Sequence, residues 1–363
     1  MKILLCHPGH GHSTANVYDG LCTGFEMNGV EVVRFAWGEM LRPLTILTIC
    51  AEESGKLKDG AAEHIHQFLC YLAGADALAV AAEHEVNAVL VVNGLLFPPS
   101  RAGLMKKIGI PIACYGTESP YFEKTEREIA PFYSHWFTQE RTAVKRFSDL
   151  DVPVTYLPMA YNPQLHQPGP HDPDKRCDVV FVGGGFPERK ALLNGVDWTG
   201  IDRAIHGTLW GLDLSQEQGR HDFGRGTRYT EGAIPNELTT AWHQSARIAL
   251  NMHRKMTYIE QNTPFPVGHA ESLGPRAYEI PACGGVGEFG GFMLSDDERP
   301  EIHDVYGDAA ATFKAWDSAD LERQIRWWLR HDRYREEWAY AQHEAVQPHH
   351  WGNRAKTILE CLL

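Results

Sequence analysis

Short apolar runs of strand length, each handing over to a stretch with helical spacing, recur through both halves of the chain. This alternation restricts the fold more than any other feature. In the first half the runs are Ile3–Cys6, Val30–Phe35, Ala88–Val92, Ile110–Tyr115, Trp136–Thr138 and Val152–Leu157. Helical stretches fall between them, near 15–28 before a stop at Gly29, then at 59–83, 100–108 and 139–148. Ala88–Val92 is apolar throughout, as expected of a parallel strand covered on both faces. Strands that alternate with helices imply parallel sheets wound by right-handed crossovers.

A chain of 363 residues is too long for one typical core and suggests two domains. Residues 161–176 (YNPQLHQPGPHDPDKR) are dense in proline and polar side chains, which is a linker signature. A second series follows, with strands at Asp178–Val182, His206–Gly211, Ile248–Met252 and Phe292–Leu294 and a helix near Glu188–Leu193. Leu321, Ile325, Trp328 and Leu329 form an apolar helical stripe that reads as core. The expectation is an α/β chain of two doubly wound domains, 1–165 and 177–345, with a linker at 166–176. The remaining 346–363 would form a helix packing back on the first domain. Ligands of open α/β sheets bind outside the carboxyl ends of the strands, so the loops after these runs are where chemistry is sought.

The net charge of −13 argues against broad nonspecific binding to nucleic acid or to an anionic membrane. No apolar run reaches the roughly 18 residues that span a bilayer. Met1-Lys2-Ile3-Leu4-Leu5-Cys6 reads as a first strand, not a signal peptide, so a cytoplasmic location is expected. Eight cysteines at irregular spacing include no CxxC, which speaks against a disulfide framework.

The most informative stretch for chemistry is HAESLGPRAYEIPACGGV. Glu271 and Glu279 have seven residues between them, with Gly274, Pro275 and Arg276 inside the interval. A helix over 272–283 would cover about 12 Å between the two carboxylates at roughly 1.5 Å per residue. That matches the distance from the ribose to the transferred sugar of a nucleoside-diphosphate sugar. Carboxylates accept hydrogen bonds from sugar hydroxyls, and a helix N-terminus favours an anion such as the diphosphate. Two glutamates on a solvated helix face are the plain alternative.

Other loops carry candidate groups. His7-Pro8-Gly9-His10-Gly11-His12-Ser13 follows the first strand. There Gly9 and Gly11 allow close approach to phosphate or acceptor, and His10 or His12 could contact an acceptor hydroxyl or serve as base. The same histidines with Cys6 and His7 could instead hold a metal, although strand alternation points Cys6 and His7 to opposite faces. Glu118, in Gly116-Thr-Glu-Ser-Pro120, is a candidate acceptor base or anchor, or an ordinary turn glutamate. Asn251, His253 and Arg254 follow a strand, as do Gly183 and Gly184. Asp149-Leu-Asp151 reads as a turn, not a metal motif. The Gly183-Gly-Gly185 loop does not complete GxGxxG, because position 188 is Glu, and the phosphate-loop lysine motif is absent.

These residues resemble a known group. Glu271, Glu279 and the following Ala-Cys-Gly resemble the donor-site motif of retaining GT-B glycosyltransferases. The wider pattern resembles their CgeB-like branch, named from spore maturation proteins and common in phages. Matching pieces are Tyr156-Leu-Pro-Met-Ala160, Val180-Phe-Val-Gly183, Leu250-Asn-Met-His-Arg254, Arg276–Gly284 and His350-Trp351. The likeness covers about 155–363, with Tyr115–Tyr121 as a shorter match earlier. A Gly-rich insertion at 285–290 departs from the pattern.

The resemblance implies a GT-B fold of two Rossmann-like domains facing an interdomain cleft, and glycosyl transfer from a nucleoside-diphosphate sugar to a hydroxyl acceptor. It implies retention, no metal, no cofactor beyond the donor, and a UDP-sugar as the favoured donor. Glu279 would bind the ribose, Glu271 the transferred sugar, and Arg254 with Arg276 the departing diphosphate. Gly183, Gly184, Asn251, His253 and Gly274 would line the donor site. Gly9, His10, Gly11, His12 and Glu118 would face the donor phosphate or the acceptor. Three other readings are kept: a phage enzyme glycosylating 5-hydroxymethylpyrimidine in DNA, a metal-dependent hydrolase or deacetylase using His7, His10 and His12, and a non-catalytic sugar-binding or spore-coat protein.

Overall fold

A computed structural model describes residues 1–8, 14–37, 50–51, 54–55, 61–208, 210, 227–254, 270–284 and 290–362. The chain divides into two compact units. One contains Met1–Pro158 and Trp351–Leu363, and the other contains Met159–Thr257 and Glu271–His350.

In the first unit, β1 (Lys2–His7), β2 (Glu31–Ala36), β3 (Ala88–Val92), β4 (Ile112–Gly116), β5 (His135–Thr138) and β6 (Val154–Tyr156) form one sheet. The spatial order is β2-β1-β3-β4-β5-β6, and every pairing is parallel. The described helices between strands are α1 (Ala15–Met27), α2 (Ala61–Glu83), α3 (Pro99–Lys107), α4 (Glu123–Ile129) and α5 (Arg141–Arg146). β3 and β4 are buried at every position because helices cover both sheet faces. Leu4, Cys6, Val89, Val91, Ile112, Cys114 and Trp136 make the centre of one apolar cluster. Strand order reverses between β1 and β3, which places a switch point at the ends of those two strands.

The C-terminal helix α12 (Trp351–Leu362) packs on α1 in the same unit. Contact is close because α1 carries Gly20 and Gly24 on the shared face. A Cβ on Gly24 would lie 2.4 Å from the Trp351 carbonyl oxygen. Trp351 is buried there, edge-on to Tyr115 at 6.1 Å between ring centroids.

In the second unit the strands are β7 (Cys177–Val182), β8 (Arg203–Gly207), β9 (Thr227–Glu231), β10 (Ala246–Asn251), β11 (Met293–Asp296) and β12 (Thr312–Phe313). Their order is β12-β11-β10-β7-β8-β9, again all parallel. Taken from β9 this is the doubly wound order 3-2-1-4-5-6, with its switch point between β7 and β10. The described helices are α6 (Pro187–Asn194), α7 (Asn236–Ser245), α8 (Arg276–Ala282), α9 (Glu301–Tyr306), α10 (Ser318–Arg330) and α11 (Asp332–Val346). Leu321, Ile325 and Trp328 of α10 are buried in the apolar cluster with Ile248, Leu250 and Leu294, so the aromatic stripe is core. All eight cysteines are free thiols.

Several sequence expectations shift. The strand expected at His206–Gly211 lies earlier, at Arg203–Gly207. It ends at Gly207, whose φ of +141° disfavours side chains and whose Cβ would sit 2.1 Å from the Gly183 carbonyl oxygen. The helix expected over 272–283 is shorter, Arg276–Ala282, with Pro275 at its N-cap. β9, β12, α4, α7, α9 and α11 lack a counterpart in the expected series. β12 has two residues, too few for any periodic signal. Residues 285–289 of the Gly-rich insertion lie outside the described residues.

Candidate functional site

The loops after β7 and β10 meet at the switch point of the second sheet, and side chains from α6, α8 and β11 converge on them. Gly183 follows β7, and its carbonyl accepts the Trp210 indole N–H at 2.7 Å. Arg189 of α6 spans both loops. Its Nη1 donates to the Gly184 carbonyl at 2.9 Å and its Nη2 donates to the Met252 carbonyl. The Phe186 ring lies beneath two guanidinium groups, Arg254 at 4.7 Å and Arg189 at 5.1 Å. Such cation–π contacts hold a cation without neutralising it.

Arg276 reaches the same place from α8. Its Nε donates to the Val182 carbonyl at 3.4 Å, at the end of β7, and its Nη1 is ion-paired with Glu279 one turn further along the helix. Glu279 is buried, and Arg276 is the cation paired with it there. Two buried histidines stand nearby. Burial lowers the pKa of His166, and Arg276 adds to the effect against an upward pull from Glu279. Burial, then Arg276 and His166, hold His243 well below the usual histidine range. Near neutral pH both rings are therefore uncharged, and Arg276 is the cation of this cluster.

Beyond β10, Asn251 donates through Nδ2 to Ser295 Oγ at 2.9 Å. Asp296, at the end of β11, accepts from His253 twice: from ring Nδ1 at 2.7 Å and from the backbone N–H at 2.6 Å. Burial pushes the Asp296 carboxyl up, but His253 and the N–H bonds from His253 and Glu298 outweigh it and hold the pKa below the usual range. Arg299 donates through Nη2 to the Arg254 carbonyl at 3.1 Å.

The structure thus brings Gly183, Gly184, Asn251, His253, Arg254, Arg276 and Glu279 to one end of one sheet. Glu271 and Gly274 lie on the connection into α8. The Glu271 carbonyl accepts the Glu301 N–H at 3.3 Å, and the Glu301 carboxylate accepts the Leu273 N–H at 2.7 Å. Among the described residues, a side chain at Gly274 would meet nothing within 4 Å. Because α8 starts only at Arg276, the Glu271–Glu279 interval is a loop followed by one helical turn. The rise of a continuous helix does not apply to it.

Glu118 belongs to the first unit, on the loop after β4. Its Oε1 accepts the Asn93 amide at 3.1 Å, and its backbone N–H donates to Glu126 Oε1 at 3.1 Å. Glu126 is buried and also accepts the Ser119 hydroxyl at 2.5 Å. Burial raises its pKa to about 8, against the hydrogen bonds that lower it. Gly9, His10, Gly11 and His12 lie outside the described residues. His7 is buried, with Nε2 within 3.1 Å of Thr14 Oγ1 and its ring stacked on Tyr18. Among the described residues no group of three or more His, Cys, Asp or Glu is arranged to hold a metal ion. Asp149 pairs with Arg127 at 2.8 Å in a turn. Asp296, Arg299, Arg189 and Glu126 escaped the sequence reading. The clue for Asp296 was Ser295-Asp296-Asp297 directly after an apolar run, where the carboxyl end of a strand is expected.

Two doubly wound units of this kind, with cationic and carboxylate groups at the switch point of the second, define the GT-B architecture of glycosyltransferases. Residues 189–360, running from α6 to α12, match the family model described as glycosyl transferase-like. That stretch, just under half of the chain, is similar to the family. Among solved structures it is similar to sucrose-phosphate synthase from Thermosynechococcus elongatus, with TM-score 0.65 at 12% identity, covering 99% of this chain and 98% of that one. An E. coli trehalose-6-phosphate protein bound with UDP-2-fluoro glucose gives 0.64 at 10% identity, covering 100% and 99%. HepE from Anabaena in complex with UDP-glucose gives 0.60 at 13% identity, covering 100% and 99%. No curated protein matches the sequence. Among the described residues no helix is long and apolar enough to cross a membrane.

Proposed function

We propose that the chain transfers a sugar from a UDP-sugar to a hydroxyl acceptor, with retention of anomeric configuration and with no metal or further cofactor. The observation that carries this reading is the meeting of Arg254 and Arg276 at the β7/β10 switch point, beside Gly183 and Gly184. A diphosphate placed there gains two cations and close backbone approach. Two of the solved neighbours hold UDP-glucose or its 2-fluoro analogue, which supports UDP over other nucleotides. The Arg276–Gly284 string supports a place in the CgeB-like branch.

In this reading Glu279, tied to Arg276 through Oε2, takes a ribose hydroxyl on Oε1. Glu271 takes hydroxyls of the transferred sugar. The acceptor oxygen forms a bond to the anomeric carbon as the bond from that carbon to the phosphate oxygen breaks. The electron pair leaves with UDP, and the acceptor proton passes to the departing phosphate oxygen. Arg254 and Arg276 stabilise charge that grows on that oxygen, which is where preorganised cations lower a barrier most. Attack on the face from which UDP leaves gives retention without a protein nucleophile.

Glu118, steadied by Asn93, supports an acceptor that offers hydroxyls to the first unit. The net charge of −13 favours a sugar, polysaccharide or protein hydroxyl over duplex DNA. A thermal-shift screen with UDP-, GDP- and dTDP-sugars tests the donor half. Stabilisation by UDP-sugars is expected, and none by any nucleotide would overturn the reading. Inverted product by NMR would overturn retention alone.

A further inference from the structure

Three consecutive residues after β10 each have one backbone group held by a charged side chain from elsewhere in the unit. The Met252 carbonyl accepts from Arg189, the His253 N–H donates to Asp296, and the Arg254 carbonyl accepts from Arg299. Asp296 and Arg299 are 2% and 3% exposed, so two charged groups are buried to fasten one short turn. Burial of charge is costly and adds little net stability. It is retained where it fixes a geometry. The turn could end with ordinary backbone hydrogen bonds. Here the carboxylate also takes His253 Nδ1–H at 2.7 Å, and His253 Nε2 stands 3.4 Å from the Asn251 amide. The ring is thereby set in one orientation, with Nδ1 carrying the proton. The residue whose position this arrangement decides is Arg254, whose guanidinium lies over the Phe186 ring at 4.7 Å.

We propose that Asp296 and Arg299 are positioning residues that aim Arg254 at the departing diphosphate, Asp296 acting through His253 and Arg299 through the Arg254 carbonyl. This rests on the donor-site reading given above. Neither residue touches the donor. Their removal lowers turnover and spares nucleotide uptake, because Arg276 and Glu279 approach from α8 and do not depend on this turn.

The test is a double-mutant cycle in the full chain, with UDP binding by calorimetry and UDP-glucose hydrolysis as readouts. Asp296→Asn keeps the shape and loses the charge. It is expected to lower kcat on the order of 10–100-fold, as loss of an orienting partner does, with Kd for UDP changed less than about threefold. In an Arg254→Ala background the same change is expected to have no further effect on kcat, because the residue it positions is gone. Arg299→Lys is the second variant, with the same cycle, should Asp296→Asn melt early or fail to fold. Losses that add across the cycle mark a merely structural role and overturn the proposal while leaving the donor site intact. A wild type that neither binds UDP nor turns over UDP-glucose overturns the donor-site reading and the positioning role together.

Discussion

Arg276 and Glu279 form an ion pair across one turn of α8, and the two partners differ in their access to water. The Glu279 side chain is 3% exposed and that of Arg276 is 27% exposed. Removing either leaves the other uncompensated, but only Glu279 would be left uncompensated in the interior. Arg276→Ala is therefore expected to destabilise the protein more than Glu279→Ala. The first loss is about 3 kcal/mol, in the range for breaking a buried pair. Urea melts of the two variants check the order. In UDP binding Glu279→Ala is expected to weaken affinity at least as much as Arg276→Ala, since the proposed ribose contact goes with it.

Arg254 has the opposite profile. It rests on the Phe186 ring at 4.7 Å and is not part of the apolar core. Arg254→Ala is expected to leave the melting temperature within a few degrees and to lower kcat for UDP-sugar turnover by about 100–1,000-fold, the usual loss for a group that stabilises developing charge. Steady-state kinetics beside a thermal melt separate the two effects.

In the proposed reaction two guanidinium groups beside the diphosphate would take the place of a metal ion. Turnover of UDP-glucose is expected to survive dialysis against EDTA with less than about a twofold change. A loss restored by a divalent cation would favour the metal-binding reading of the His7–Ser13 loop instead.

Glu126 makes stability depend on pH in the first unit. Its folded pKa is raised to about 8 from an ordinary value of 4.5, chiefly by burial. Between those values the folded protein holds a proton that the unfolded chain has released. Stability from this group is thus full below the lower value and declines as pH rises toward the upper one. Glu126→Gln keeps an oxygen for the Glu118 N–H and cannot ionise. The melting temperature of the variant is expected to fall less than that of the wild type between pH 5 and pH 8.

The α1–α12 contact admits a clean steric test. A methyl group on Gly24 would stand 2.4 Å from the Trp351 carbonyl oxygen, and backbone cannot move aside cheaply. Gly24→Ala is expected to cost about 1–3 kcal/mol despite its gain in helix propensity. Gly29→Ala, where no atom of the described residues lies within 4 Å, separates crowding from the strain of a φ of +71°.

Much of the fold was legible because burial leaves a local trace. Ala88–Val92 reads as a covered strand from its own five residues, and Leu321, Ile325 and Trp328 read as one buried helix face. Boundaries were less legible. Pro275 and Arg276 mark the start of α8, but the residues from Ser272 onward carry enough helix-compatible character to extend it falsely. The polar β9 and the two-residue β12 give no periodic signal at all.

The candidate site divides along the same line. Sequence alone determined that Gly183, Asn251, His253 and Arg254 follow strands, because a strand and the loop that ends it are contiguous in the chain. It also set Arg276 and Glu279 three positions apart, near enough to meet across one helical turn. Only the tertiary structure decided that Asp296 grips His253 from 43 positions away, that Arg189 joins the loops after β7 and β10, and that Glu126 is buried beneath Glu118. Those contacts depend on which strands become neighbours. In a parallel sheet that choice is made by crossovers and the packing of distant helices, which no short stretch of residues encodes.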